Sequence, residues 1–328
     1  MARPKRLLAL ALAAPLLLSA CSTENSDGGT DEGGSDGGTA ASGDLDFAVV
    51  THGSAGDAFW DVVQNGAEAA GEDLGVGVDY QSDGDPQRQS QLIEAAVNQD
   101  VDGIVVSMAN PDALQESITA AVDAGIPVVT INSGADQSAE FGAIGHVGQD
   151  ETIAGIGAGQ QLAADGAQNV LCVVHEAGNI GLEQRCAGAS QGLGTDVRLL
   201  QVDINDLQAA QSTITSQLQS DSSIDAVLTL NSAVAPVAAS AAADAGSDAE
   251  IATFDLNGDV IAAIQDGTIS FAVDQQQYEQ GYLPIVMLQL YAENLNTVGG
   301  GQPVLTGPGI VDAENVDEIA DLASAGTR

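Results

Sequence analysis

Basic residues are nearly missing from this sequence. Its 328 residues hold 7 Lys and Arg against 47 Asp and Glu, and beyond Arg6 only Arg88, Arg185, Arg198 and Arg328 carry positive charge. Such a surface repels phosphate backbones and anionic membranes, which excludes nucleic acid as a partner. The acids read as a solvated, salt-tolerant exterior. Histidine is confined to His52, His146 and His175, none in a clear triad context. No long apolar run is present: Leu7 to Leu18 is too short to span a bilayer as a mature helix.

That short run has another meaning. Arg3, Lys5 and Arg6 precede it, and Leu18, Ser19, Ala20 and Cys21 close it with small residues and a thiol. The order is that of a secretory signal, assigned to residues 1–20. The cysteine resembles the lipobox of bacterial lipoproteins, which implies lipidation at Cys21 and a membrane anchor on the outer face of the cell membrane. Residues 21–44 are Gly, Ser, Thr, Asp and Glu with little else and cannot bury a core, so they read as a disordered tether.

The remaining residues are too many for one comfortable core, and two lobes are expected. Strands read at Phe47 to Thr51, Gly103 to Ser107, Pro127 to Ile131 and Ala143 to Val147. A second series runs through Asn169 to Val174, Val197 to Val202, Ala226 to Leu230, Ile251 to Phe254 and Ile269 to Val273. Helical spacing separates them, for example at Leu114, Ile118, Ala121 and Val122, and from Leu207 to Leu218. The fold class is therefore α/β, with two doubly wound parallel-sheet αβα lobes. In such sheets ligands sit beyond the carboxyl ends of the strands. The residues there are polar: Thr51 and His52, Asn132 and Ser133, Asn231 and Ser232, Asp255, and Asp274 with Gln275. A polar residue in this position often only caps the next helix. A set of amides and carboxylates around one crevice also suits vicinal hydroxyls.

Over residues 45 to 311 the chain resembles the class I periplasmic sugar-binding proteins, near their ribose-binding branch. Val49 to Trp60, followed by Gly66, resembles the opening motif in which an acid or amide and two aromatics clasp the sugar. Asp57, Phe59 and Trp60 take those places, Thr51 the first polar position, and His52 lies in a loop two residues longer than in the ribose binders. The stretch from Gly178 to Gly188 resembles the one whose arginine bonds the ligand, here Arg185. Asn231, the pair Phe254 and Asp255, and Gln275 match further family positions. Asn132 and Ser133 stand where ribose binders carry Asp-Arg, and Asn205 where they carry a stacking aromatic. The resemblance therefore implies a more hydroxylated ligand, such as a hexose, polyol or inositol. It also implies a three-segment hinge near Gln149 and Asp150, Gln275 and Gln276, and Thr306 to Pro308, giving lobes of 45–149 plus 276–306 and 150–275 plus 307–328. Delivery to an ABC transporter permease, a monomeric state, no cofactor and no enzymatic activity follow. The alternative is a binding lipoprotein for a nucleoside or furanone-type signal, or a chemosensory receptor component. Nucleosides want aromatic faces on both sides of the base, and this chain is 3 % aromatic.

Three further patterns carry less. Gly188 to Gly192 matches G-x-S-x-G, but helix already precedes the serine. Asp255 to Asp259 imitates the start of a calcium loop, yet Val260 stands where glycine is required. Gly155, Gly157 and Gly159 lack dinucleotide spacing and suit close helix packing. With Cys21 lipidated, Cys172 and Cys186 remain as a disulfide in an oxidising location, or as two small buried hydrophobes. Asp255, Arg185 and Asn231 are expected to be wet before ligand arrives and to contribute affinity rather than stability.

Overall fold

The computed structural model describes residues 45–54 and 56–328; the signal sequence, the tether and Cys21 lie outside the described residues. From the N-terminal side the order is β1 (Asp46–Thr51), α1 (Ala58–Leu74), β2 (Gly77–Ser82), α2 (Pro86–Asn98), β3 (Gly103–Ser107), α3 (Pro111–Asp123), β4 (Val128–Ile131), α4 (Ala135–Ser138) and β5 (Gly145–Gly148). A second series follows: α5 (Glu151–Asp165), β6 (Val170–Val174), α6 (Ile180–Leu193), β7 (Arg198–Gln201), α7 (Leu207–Ser220), β8 (Ala226–Thr229), α8 (Ala235–Ala245), β9 (Glu250–Phe254), α9 (Gly258–Gln265) and β10 (Phe271–Asp274). The chain closes with α10 (Gln277–Asn294), β11 (Val304–Leu305), β12 (Gly309–Asp312) and α11 (Val316–Ser324).

Two six-stranded sheets result, ordered β11-β5-β4-β3-β1-β2 and β12-β10-β9-β8-β6-β7. The central strands are short, β-branched and buried on both faces, which is why they read as continuous apolar runs. Every pairing is parallel except the last, where β12 runs antiparallel to β10. The sheets are otherwise parallel, as expected of doubly wound lobes. The chain reaches β12 from β11 of the other sheet, so no crossover helix fixes its direction, and an antiparallel edge strand is a common end to a doubly wound sheet. The chain passes between the sheets after β5, after β10 and between β11 and β12, so all three passages share one side of the molecule.

Glycine lets two helix pairs approach backbone to backbone. A Cβ at Gly155 or Gly159 of α5 would strike the carbonyls of Arg185 and Ala189 on α6, and one at Gly188 or Gly192 would strike α5 in return. The motifs from Gly155 to Gly159 and from Gly188 to Gly192 are therefore the two halves of one packing face. Gly66 and Gly281 do the same for α1 and α10. Asn257 accepts a hydrogen bond from the Val260 N–H and caps α9, which accounts for the calcium-like spacing after Asp255.

Cys172 on β6 and Cys186 on α6 are joined as a disulfide, with their Cα atoms 6.0 Å apart. They lie inside the apolar cluster of the second lobe, among Leu182, Leu228 and Phe254. A loop of about fifteen residues closed in this way contributes about 3 kcal/mol in the chain-entropy model. The paired replacement Cys172→Ser with Cys186→Ser should lower stability by that order in chemical denaturation. Free alkylation of both thiols in the folded, unreduced protein would contradict the bond.

Candidate ligand-binding site

The carboxyl ends of both sheets face one cavity between the lobes, about 320 Å³ counting its mouth. From the first lobe, Asp57 ends the loop after β1 and caps α1, accepting from the Phe59 N–H at 3.1 Å. Phe59 and Trp60 occupy the first turn of α1, packed edge to face with ring centres 4.9 Å apart, and both line the cavity. His52 stands beside Trp60, its Nδ1 2.6 Å from the Ser107 hydroxyl. Burial holds the His52 pKa below its ordinary value, opposed by Glu176.

The next wall is built by residues that follow strands directly. Asn132 after β4 and Asp255 after β9 take left-handed backbone angles, φ 62° and 70°. Asn and Asp tolerate that region best among residues with side chains. The Asn132 amide donates to Gln275 Oε1 at 3.2 Å, and the Gln275 amide donates to Asp255 Oδ1 at 2.6 Å. The Asn231 amide faces the Asp57 carboxylate across the lobes at 3.5 Å.

Arg185 forms the third side. Expected to offer its fork to the ligand, it instead gives Nε and Nη2 to Glu151 at 2.6 and 2.9 Å, and Nη1 to the Leu230 carbonyl at 3.2 Å. Its guanidinium lies 4.7 Å from the centre of the Phe254 ring. Both members of the ion pair are about 95 % buried. The glycine face between α5 and α6 permits this, since Glu151 opens α5 and Arg185 sits midway along α6. Arg185 still lines the cavity, with N–H groups to spare beyond those three bonds.

Two expected contacts fall elsewhere. Thr51 is fully buried within β1, 3.0 Å from the Tyr80 hydroxyl, because the cavity begins one residue later. Asn205 is exposed after β7, bonded to Asp203, and faces an outer groove instead. In this closed arrangement Asp255, Arg185 and Asn231 are all buried. Sequence reasoning passed over His175 and Glu176 after β6, and Asn179, which caps α6 and accepts from the Ser133 hydroxyl at 3.3 Å. The rule that found Asn132 and Asp255 applies equally to His175 and Glu176. Glu151 gave no signal, since nothing local marks a buried partner for Arg185.

Desolvation governs the electrostatics. Burial raises the Asp255 pKa to about 7, against the pull of Arg185 and the Gln275 amide. Burial raises Asp57 to about 6, opposed by the Phe59 N–H and Asn231. Two desolvated carboxyl groups, beside four carboxamides and an arginine, form a lining that accepts and donates hydrogen bonds without a net demand for ligand charge.

A model of the periplasmic binding protein domain matches residues 47–296. The chain belongs to the periplasmic binding protein family. A carbohydrate transporter from Acidothermus cellulolyticus 11B, crystallised in complex with myo-inositol, is 44 % identical, with a TM-score of 0.85 over 87 % of this chain and 99 % of that one. The ribose import binding protein RbsB of Bacillus subtilis is 28 % identical over 207 residues, 61 % of this chain and 65 % of that protein. The xylose/arabinose-binding protein XylF of Sulfolobus acidocaldarius is 26 % identical over 216 residues, 61 % of this chain and 54 % of that protein. The matched stretch thus spans little more than half to two thirds of those two relatives' lengths. By name these relatives are sugar-binding and transport proteins, not enzymes.

The raised Asp255 pKa fixes the sign of a pH effect. The folded protein holds that proton more tightly than the unfolded chain does, so the associated stability is present below about pH 4 and lost as pH rises through about 7. A rise from 3.8 to about 7 corresponds to about 4 kcal/mol. Asp255→Asn should therefore melt higher than the parent at pH 8 without ligand, and the gap should narrow as pH falls and close only below about pH 4. Equal melting temperatures at pH 8 would contradict a desolvated carboxylate.

Proposed function

We propose that the chain is an extracytoplasmic solute-binding protein, anchored by lipid at Cys21, that captures an uncharged cyclic polyol and delivers it to an ABC transporter permease. The chain is not an enzyme. The observation that carries the reading is the closed cavity itself: Asp57, Asp255, Asn132, Asn231 and Gln275 converge from both lobes with Trp60 on one side. Carboxylates and carboxamides accept and donate to neighbouring hydroxyls, and a dry cavity strengthens each bond. An indole alongside covers the apolar face of a ring.

The ligand class is narrowed by balance. A phosphorylated or acidic ligand would meet Asp57, Asp255 and Glu176 with only Arg185 in opposition, and Arg185 is already paired to Glu151. A nucleobase would find aromatic rings on one side only. The relative crystallised with myo-inositol, at 44 % identity, supports a cyclohexane polyol above a pentose. Exchange between the lobes follows from the three passages: opening about them exposes both halves of the lining to water, and ligand hydroxyls bridge them on closing. Among the described residues no helix is long and apolar enough to cross a membrane; the proposed attachment is the lipid at Cys21.

Trp60 is the only tryptophan and lines the cavity, so its fluorescence reports the site. Titration with myo-inositol should change Trp60 emission with one-to-one calorimetric binding, and Trp60→Ala should weaken that binding by about 1–3 kcal/mol. A thermal-shift panel in which nucleosides stabilise the protein and no sugar or polyol does would overturn the reading.

A further inference from the structure

A second, larger space borders the cavity and shares part of its lining. On the side remote from the three passages, where β2 and β7 form the outer edges of their sheets, the lobes leave a groove of about 1340 Å³ counting its mouth. It is lined by residues that follow β1, β2 and β3 in the first lobe and β6 and β7 in the second, with the first turns of α7 as its outer wall. The two spaces share His52, His175, Glu176 and Asn179. His52 and Glu176 approach to 3.9 Å across the lobes where the spaces meet.

The groove is built for an uncharged, hydroxylated occupant. Asn110 of the first lobe reaches over the cleft toward Gly178 and spends none of its side-chain bonds on capping α3. Asn205 and Asp203 face it from the second lobe, while Pro86, Val202 and Ile204 supply apolar patches between them. No lysine or arginine lines it, so a phosphate would meet only Glu176 and Asp203. His175, which lines both spaces, is 7 % exposed, and its Nδ1 has no hydrogen-bond partner. Burial lowers its pKa to about 4, so it stands neutral with one ring nitrogen free to donate or accept. His175 lines both spaces, and its unpaired nitrogen has a hydrogen bond to gain from a ligand hydroxyl or bridging oxygen once the lobes part to admit one.

We infer that the outer groove is a second subsite, which takes an uncharged hydroxylated ring joined by a glycosidic bond to the ring held in the inner cavity. The protein would then accept a glycosylated cyclitol as well as the free polyol. This rests on the reading of the inner cavity as a polyol site. Asn205, exposed and remote from that cavity, acquires a role here: it contacts the second ring rather than the first.

Calorimetry on the full chain decides it, with myo-inositol and with O-α-D-galactopyranosyl-myo-inositol as probes. The expected result is that the galactoside binds at least as tightly as one tenth of the myo-inositol affinity. Ala209→Trp, on the exposed face of α7 and away from the inner cavity, should fill the groove. It should weaken the galactoside at least tenfold and leave myo-inositol within about twofold. A galactoside more than tenfold weaker than myo-inositol in the parent would overturn the subsite and leave the inner-cavity reading standing. So would an Ala209→Trp protein that changes both ligands alike or neither. If that variant folds poorly, Thr213→Trp one turn further along α7 repeats the test with the same expected outcomes. Binding of neither probe to the parent would overturn the subsite and the polyol reading together.

Discussion

The second lobe's half of the cavity depends on the buried ion pair between Arg185 and Glu151. Removing both charges from water is costly, and their attraction repays it only where geometry is good and the remaining donors are satisfied. The geometry is good, and every guanidinium nitrogen has a partner, with two N–H groups left over for the cavity. The pair is bidentate, Gln149 donates a further hydrogen bond to Glu151 at 2.9 Å, and the Leu230 carbonyl takes another donor of Arg185. None of this is possible unless α5 and α6 lie backbone to backbone, which the glycines at 155, 159, 188 and 192 allow. The neighbouring disulfide ties α6 to β6 at Cys186, the residue after Arg185. Arg185 is thus fixed by the fold before any ligand contact, and what it presents to the cavity is its residual N–H capacity.

The first lobe meets this rigid half through a small number of polar contacts. Besides Asn231 with Asp57, the Ile180 N–H donates to the Ala109 carbonyl at 3.1 Å and the Gln184 amide to Asp136 at 3.3 Å. These are few and weak beside the packing within each lobe, as a cleft that must reopen requires. The cavity they enclose leaves Asp57 and Asp255 desolvated and short of donors. The ring hydroxyls of the proposed ligand would supply what the lining lacks, so the same desolvation that penalises the carboxylates would favour a polyhydroxylated occupant.

Much of the fold was legible because central strands of a doubly wound sheet are buried on both faces and read as unbroken β-branched runs. β3, from Gly103 to Ser107, is bounded as expected. The elements that escaped lack that signature. β2 is an edge strand in which Asp79 and Gln81 alternate with partly buried residues. α10 contains Gly281 and Pro284, which read as breakers, although Gly281 is what lets the helix lie against Val63. In the site, residues directly after strands were legible from topology alone. The partner of Arg185 was not, because a salt bridge between positions 151 and 185 leaves no local pattern. Asn205 was placed by analogy with a stacking position. The loop after β7 instead turns outward, held by the bond from Asn205 to Asp203.

Glu151 offers the most direct test, because it does not line the cavity but holds Arg185, which does. Glu151→Gln keeps the shape and removes the charge. The account predicts a lower melting temperature, by the equivalent of about 3–5 kcal/mol for a buried pair broken on one side. It predicts, in the same variant, at least tenfold weaker binding of myo-inositol by calorimetry below the melting transition. A Glu151→Gln protein that binds myo-inositol with the parent's affinity would contradict it.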